Sequence, residues 1–193
     1  MIGVRSVPLG PARTLVVLGG LAAAMTLRVA AGLGTNEAGV LFAVLLLATA
    51  LAAGWRPAMP RARALAAGVG GAAVLCLAPA LLRLGGHTLV LGPPPLGLLP
   101  AWATVTVLIA VSEEALLRGV LIDSVTPWAG ELVAVGVAAV AFGLLHVPLY
   151  GWTAVPLDIA VGVWLGGLRL ATGGVAAPAT AHTLADLASW WLR

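Results

Sequence analysis

The hydrophobic positions of this chain form long, nearly uninterrupted apolar runs, unlike the regular alternation of a half-buried strand. A helix that crosses a membrane needs about 20 mostly apolar residues. Runs close to this length lie at 14–32, 38–54, 64–82, 99–123, 130–147, 155–171 and 175–192. The pattern therefore predicts an all-α, polytopic integral membrane helix bundle with about seven transmembrane helices.

The joints between these runs carry residues that break helices. They are Gly32-Leu33-Gly34, Arg56-Pro57, Gly92-Pro93-Pro94-Pro95 and Pro127. No internal repeat or low-complexity tail divides the chain, so we predict a single membrane domain over residues 1–193. The first run is longer than the core of a secretory signal, which has about 7–15 residues, and Arg28 interrupts its far end. We therefore expect this run to be retained as a span.

The composition excludes two function classes. Hydrophobic residues make up 61% of the chain and charged residues 9%, with a mean hydropathy of +1.09. A soluble domain carries about 25% charged residues, so this chain lacks the polar surface of a soluble globule. Its ten basic and seven acidic groups are also too few for a nucleic-acid-binding face. The composition therefore predicts membrane lipids as partners. The chain has a single cysteine, Cys76, so it cannot form an intrachain disulfide.

The basic residues, all arginines, indicate an orientation, because cytoplasmic loops of membrane proteins are enriched in positive charge. With the N-terminus in the cytoplasm, most of them fall on the inner side: Arg5, Arg13, Arg56, Arg61, Arg63, Arg118 and Arg169. Arg83 and Arg193 then fall outside, and Arg28 lies near the outer end of the first span. We predict a multi-pass protein of the cell membrane with a cytoplasmic N-terminus.

Ionisable groups inside apolar spans are costly, so each is a candidate for function. The fourth span carries Glu113, Glu114 and Arg118. Arg118 follows Glu114 by four residues, so the two share a helix face and can pair. Glu113 lies about 100° away and has no partner on its own helix. This pattern predicts that Glu114 and Arg118 support the site while Glu113 is available for chemistry.

The fifth and seventh spans each carry a pair of residues four apart. Phe142 and His146 share a face of the fifth span, so the ring can cover the imidazole. His182 and Asp186 share a face of the seventh, where the carboxylate can accept from the imidazole and fix its tautomer. Counted from the inner ends of their spans, Glu113, His146 and His182 differ in depth by roughly 14 Å. The sequence alone does not close that gap. Two further ionisable groups are Arg28 and Asp158, and Asp158 fits the first turn of the sixth span.

These motifs, taken in order, resemble those of the CAAX-prenyl protease and bacteriocin-processing family. The matching residues are Glu113-Glu114-x-x-x-Arg118, Phe142-x-x-x-His146 and His182-x-x-x-Asp186, together with the Gly-rich stretch from Gly166. The resemblance covers residues 96–190, which would be the catalytic core, and leaves three variable N-terminal spans in residues 1–95. It implies an intramembrane glutamate protease with no cofactor, acting on a membrane-associated or lipidated protein or an exported peptide.

The resemblance also implies a role for each residue. Glu113 and His146 would activate the attacking water, and His182 and Asp186 would stabilise the oxyanion. Glu114, Arg118 and Phe142 would support the site. The chain departs from the prenyl-protein proteases at Asp186, where that branch has Asn, and an ionised Asp cannot donate a hydrogen bond to an oxyanion.

Three other functions remain open from the residues. Glu113, His146 and His182 are a two-His, one-carboxylate set of the kind that binds zinc, although the chain has no His-Glu-x-x-His helix. The resemblance itself argues against a metal. A non-proteolytic scaffold or bacteriocin-immunity protein, or a transporter with a polar midplane, would also retain charged residues within the spans.

Overall fold

The structure is a computed structural model that describes residues 11–83 and 96–190, and these form helices and connecting turns without a strand. The α-helices are α1 (Pro11–Ala31), α2 (Asn36–Ala52), α3 (Ala62–Arg83), α4 (Leu99–Glu114), α5 (Ile122–Ala129), α6 (Glu131–Tyr150), α7 (Val155–Thr172) and α8 (Ala176–Ala188). The all-α prediction is confirmed for this part of the chain. Arg5, Arg193 and the Gly92–Pro95 joint lie outside the described residues.

The fourth predicted span is longer than expected, and the break predicted at Pro127 is wrong. A π-helical segment, Ala115–Leu121, joins α4 directly to α5, and the helix ends only at Gly130. Helix α5 tolerates Pro127 because this residue stands in its last turn. The backbone hydrogen bond that proline cannot make therefore interrupts no further turn of helix. Gly130 makes the turn with φ of 84°, a value that favours glycine.

Three helices within the described residues are long and apolar enough to cross a membrane. They are Pro11–Ala31, Glu131–Tyr150 and the helical stretch Trp152–Thr172. Asn36–Ala52 and Ala62–Leu77 are shorter apolar helices. The 13 residues of α8 rise only about 20 Å, which is less than the about 30 Å of a hydrocarbon core. The chain is thus a multi-helix membrane protein, and the seven-span count stays a prediction.

The π-helical segment lies at the centre of the bundle. All seven of its residues are buried, and it contacts α1, α2, α6 and α7 as well as α4 and α5. The surrounding core draws apolar side chains from several helices, among them Leu21, Phe42, Leu116, Val125 and Phe142. Because lipid tails are as apolar as leucine, such a core is held by close van der Waals packing rather than by the hydrophobic effect. Glu113, Glu114 and Arg118 are therefore carried into the centre by the continuous helix that contains them.

Helices α6 and α7 approach closely at two glycines of α7, Gly162 and Gly166. A Cβ atom on Gly162 would lie 2.7 Å from the Cα of Ala139, and one on Gly166 would lie 2.6 Å from a methyl carbon of Val135. The backbones can approach to this distance only because both positions lack a side chain.

We expect Gly162→Ala to lower the free energy of unfolding by about 1–3 kcal/mol, because the added methyl overlaps backbone that cannot move aside. Gly167→Ala is the matched control on the same helix, since its Cβ would meet no atom within 4 Å. The control should be neutral or stabilising by up to about 1 kcal/mol, from helix propensity. Thermal unfolding in detergent measures both, and equal midpoints for the two variants would contradict the close contact.

Candidate active site

The buried ion pair expected between Glu114 and Arg118 is present. Arg118 Nη1 donates to Glu114 Oε1 at 2.7 Å, and neither side chain is exposed. Arg118 Nη2 donates to the carbonyl of Gly162 at 3.1 Å, and the guanidinium lies 4.9 Å from the centre of the Phe142 ring. One arginine thus connects the central helix to α7 through a hydrogen bond and to α6 through a cation–π contact.

His182 of α8 completes a three-member polar chain. Its Nδ1 lies 2.9 Å from Glu114 Oε1, the same oxygen that Arg118 contacts, so Nδ1–H donates to the carboxylate. Its Nε2 lies 3.4 Å from Asp186 Oδ2 and 3.9 Å from Glu113 Oε2. The contact predicted with Asp186 is present, but Glu114 is the nearer carboxylate. Asp186 is also 43% exposed. Glu114 therefore contacts both Arg118 and His182, and the contact with His182 was not indicated by the spacing on one helix.

His146 of α6 is held by its own helix. Its Nδ1 lies 2.8 Å from the carbonyl oxygen of Phe142, and because a carbonyl only accepts, Nδ1 carries the proton. In the neutral ring, Nε2 is then free to accept a proton. The centres of the Phe142 ring and this imidazole lie 4.5 Å apart with the planes tilted by 52°, and the Tyr150 ring stacks on the imidazole with its centre at 5.8 Å. Phe142 also meets His182 edge-on at 5.3 Å, so it lies between the two imidazoles.

Glu113 is the least constrained of the buried carboxylates. It is 2% exposed, and its side chain accepts no hydrogen bond from the described residues. Its nearest ionic contact is His182 Nε2 at 3.9 Å, and charge interactions also connect it with His146, Asp186 and Glu114. This agrees with the prediction that Glu113 has no partner on its own helix. A buried carboxylate without a fixed donor, close to imidazoles, can accept a proton from a bound water.

The depth mismatch predicted for these residues disappears, for a reason that lies in the helix lengths. Since the helix does not break at Pro127, Glu113 stands 17 residues before the Gly130 turn and His146 stands 16 residues after it. Two antiparallel helices joined at one turn place such residues at nearly the same level. His182 stands six residues after the first residue of α8, and Val175 at the start of that helix lies beside Gly119 of the π-helical segment.

One arginine near the site, Arg169, was given no role by the sequence. Its Nε donates to the backbone carbonyl of Arg118 at 3.0 Å, and its Nη2 pairs with Asp123 at 3.0 Å. The π-helical turn shifts the backbone hydrogen bonds of this segment, since Ile122 N–H donates to Leu117 rather than to Arg118. Arg169 thus donates a hydrogen bond to a backbone carbonyl of the π-helical segment. The sequence showed only that Arg169 lies near the end of an apolar helix and did not indicate this contact.

A second arginine, Arg28, reaches the site from α1. It is 9% exposed, its guanidinium lies 4.7 Å from the centre of the Phe42 ring, and charge interactions connect it with Glu113 and Tyr150. The sequence placed Arg28 near the outer end of the first span without a partner. Only the contact between α1 and the central helix brings this cation toward the carboxylate.

No three His, Cys, Asp or Glu side chains in residues 11–83 and 96–190 are grouped so that they could hold a metal ion. Nε2 of His182 faces both Glu113 and Asp186. Nδ1 of His182 contacts Glu114, and Nδ1 of His146 contacts the carbonyl oxygen of Phe142.

Residues 95–188 match the family model described as Type II CAAX prenyl endopeptidase Rce1-like. This segment is similar to the Rce1-like family. The match confirms the family predicted from the three motifs, and its limits lie close to the predicted 96–190. All seven predicted site residues fall within the Rce1-like segment, whereas α1, α2 and α3 lie outside it. No curated protein and no solved structure matches the chain.

Proposed function

We propose that this chain is an intramembrane endopeptidase that hydrolyses a peptide bond with a water activated by Glu113 and His146. The observation that supports this most directly is the convergence of a buried, unbonded carboxylate with two imidazoles from two other helices. The family of residues 95–188 supplies the reaction class, because its description is that of an endopeptidase.

In the proposed reaction, Glu113 and the free Nε2 of His146 take a proton from water as its oxygen attacks the carbonyl carbon of the substrate. The proton then passes to the leaving amine when the C–N bond breaks. A doubly protonated His182 donates Nδ1–H to Glu114 and Nε2–H to the oxyanion. Such donors act strongly because water is excluded from the site. The Glu114–Arg118 pair keeps the His182 ring in place, and Phe142 limits the access of water to both imidazoles.

Asp186 is proposed to assist His182 rather than to act on the substrate, since it lies 3.4 Å from Nε2 and is half-exposed. We expect Asp186→Asn to keep kcat within about tenfold of wild type, because Glu114 still holds the ring and the amide can donate to an oxyanion. Asp186→Ala should lose more, since alanine can neither contact His182 Nε2 nor donate to an oxyanion. The measurement is kcat and KM for both variants on one peptide. A folded but inactive Asn variant would show that the carboxylate itself takes part in the reaction.

We propose that activity needs no metal, because Glu113 accepts no hydrogen bond and can serve as the base, and because no three metal-ligating side chains of the described residues are grouped to hold an ion. The expected result is full activity after thorough chelation, in protein that elemental analysis finds to be metal-poor. Loss of stoichiometric zinc in parallel with activity, and return of activity with added zinc, would instead establish a zinc-dependent protease.

The site fits a substrate presented at or in the membrane, and we propose a membrane-associated or lipidated protein or an exported peptide. We further propose that residues 1–193 form one domain of seven spans in the cell membrane with a cytoplasmic N-terminus. Its residues 96–190 would form the catalytic core and its residues 1–95 three variable spans. The positions of the arginines support the orientation.

The deciding experiment is comparative membrane proteomics of cells that carry either the wild-type chain or Glu113→Gln. Endopeptidase activity predicts that one or more precursor proteins accumulate only with the variant, each with a longer terminus than its wild-type product. Identical proteomes, together with a growth or bacteriocin-sensitivity phenotype that the variant fully complements, would identify a non-proteolytic scaffold or immunity protein instead.

A further inference from the structure

A cavity lies close to the candidate active site, since its lining includes Gly119 beside Arg118 and Thr183 beside His182. Its volume is about 750 Å³, and it is bounded by the start of α1, the loop between α2 and α3, the end of α7 and the start of α8. None of the seven candidate site residues lines it. A molecule in this cavity would therefore not contact the residues of the proposed hydrolysis directly.

The cavity is strongly cationic. Four arginines line it, Arg13, Arg56, Arg61 and Arg169, against one carboxylate, Asp123. Asp123 is already paired with Arg169. Arg13 donates from Nη2 to the carbonyl of Ala53, while its Nη1 is buried without a partner among the described residues. The side chain of Arg61 makes no hydrogen bond or ion pair with them.

The first turn of α8 adds to this positive field. Residues 173–176 line the cavity, and Val175 at the start of the helix provides no side-chain cap. The first N–H groups of a helix have no partner within it, and the aligned peptide dipoles make this end equivalent to about half a positive charge. An anion is the ligand that an uncapped helix start and surrounding guanidinium groups accept together.

The remaining walls are apolar and open outward. Met59 is 92% exposed, and Leu65, Val111 and Leu184 are each about two-fifths exposed. These side chains belong to the α2–α3 loop, α3, α4 and α8, so an apolar surface continues from the cationic end along the outside of the bundle. The occupant that fits has an anionic head beside the arginines and a hydrocarbon tail along these walls.

We propose that this cavity binds an anionic phospholipid, with its phosphate among Arg13, Arg56 and Arg61 and an acyl chain against the exposed apolar wall. Guanidinium groups bind phosphate oxygens through paired, charge-assisted hydrogen bonds. Basic pockets between helices at a membrane surface are a recurrent type of lipid headgroup site. A substrate peptide is a weaker fit, because no residue of the hydrolytic site lines the cavity.

The test uses the full-length protein in mixed micelles and counts bound lipid by native mass spectrometry. Dioleoyl phosphatidylglycerol and dioleoyl phosphatidylcholine are the anionic and zwitterionic probes, and inorganic phosphate is the tailless probe. Wild type should retain phosphatidylglycerol in preference to phosphatidylcholine. Arg61→Gln should lower that retention about tenfold, the effect of losing one charge-assisted hydrogen bond. Arg56→Gln serves as a second variant if Arg61→Gln does not fold.

Arg63→Gln is the matched control, since Arg63 is an exposed arginine two residues away that does not line the cavity. It should retain lipid as wild type does. Equal losses with Arg63→Gln and Arg61→Gln would mean only a general attraction to anionic lipid, which overturns the site. Inorganic phosphate at millimolar concentration that displaces phosphatidylglycerol and raises the Tm of wild type as much as the lipid does would show a free-anion site. Unchanged lipid retention in Arg61→Gln, with a raised KM only for peptides that have a free C-terminal carboxylate, would assign the cavity to substrate.

Discussion

Glu113→Gln is expected to lower kcat by about 10²–10⁴-fold, which is the usual contribution of a positioned general base. Glutamine has the size and shape of glutamate but does not accept the proton of water. The protein should still insert and fold, because the Glu113 side chain makes no hydrogen bond with the described residues and its nearest ionic contact is at 3.9 Å. The measurement is hydrolysis of one confirmed substrate by purified protein, with a thermal unfolding curve from the same preparation.

The matched control for this variant is Glu131→Gln. Glu131 is an exposed carboxylate in the first turn of α6, far along that helix from His146. Its replacement should leave both kcat and the unfolding midpoint unchanged. Full activity of Glu113→Gln would remove the base assignment, and inactivity accompanied by unfolding would show a structural carboxylate instead.

Arg118→Met is expected to destabilise the protein more than any other single substitution proposed for the site, by about 3–5 kcal/mol, the range found when one partner of a buried ion pair is removed. Methionine fills much of the same volume, so the loss comes from charge rather than from a cavity. Glu114 would keep only His182 as a donor, and the carbonyl of Gly162 would lose the guanidinium. For a chain of this size the Tm should fall by roughly 10 °C.

A double variant separates the ion pair from the rest of the site. In Arg118→Met with Glu114→Gln the buried negative charge is also removed, so its Tm should lie above that of Arg118→Met alone. Arg63→Met is the control for replacing an arginine, since Arg63 is exposed, and it should leave the Tm unchanged. A double variant that is less stable than Arg118→Met would show that Glu114 stabilises the fold through His182 and not through the pair.

Much of the site was predictable because it depends on spacing along single helices. The Glu114–Arg118 pair and the Phe142–His146 and His182–Asp186 contacts each join residues four apart, which a helix places on one face. The lack of a partner for Glu113 on its own helix follows from the same geometry. The ordered motifs also identified the family that residues 95–188 match.

The contacts that were missed join different helices. That Glu114 holds His182, that Arg169 bonds the carbonyl of Arg118, and that Arg28 approaches Glu113 all depend on how α1, α7 and α8 pack against the central helix. No periodicity within one helix encodes such a contact. The π-helical turn was also invisible, since Ala115–Leu121 has an ordinary apolar composition.

The sequence by itself determined that this chain is an all-α membrane protein, which residues are ionisable inside apolar helices, and which of them share a helix face. These follow from local hydropathy and from the fixed 3.6-residue period of the helix. The tertiary structure alone decided that Glu113 and His146 lie at one level. A proline near the end of a helix breaks the helix in some surroundings and not in others, and the sequence does not show which case applies. At Pro127 the helix runs on to Gly130, and that short extension brings Glu113 level with His146 across the turn.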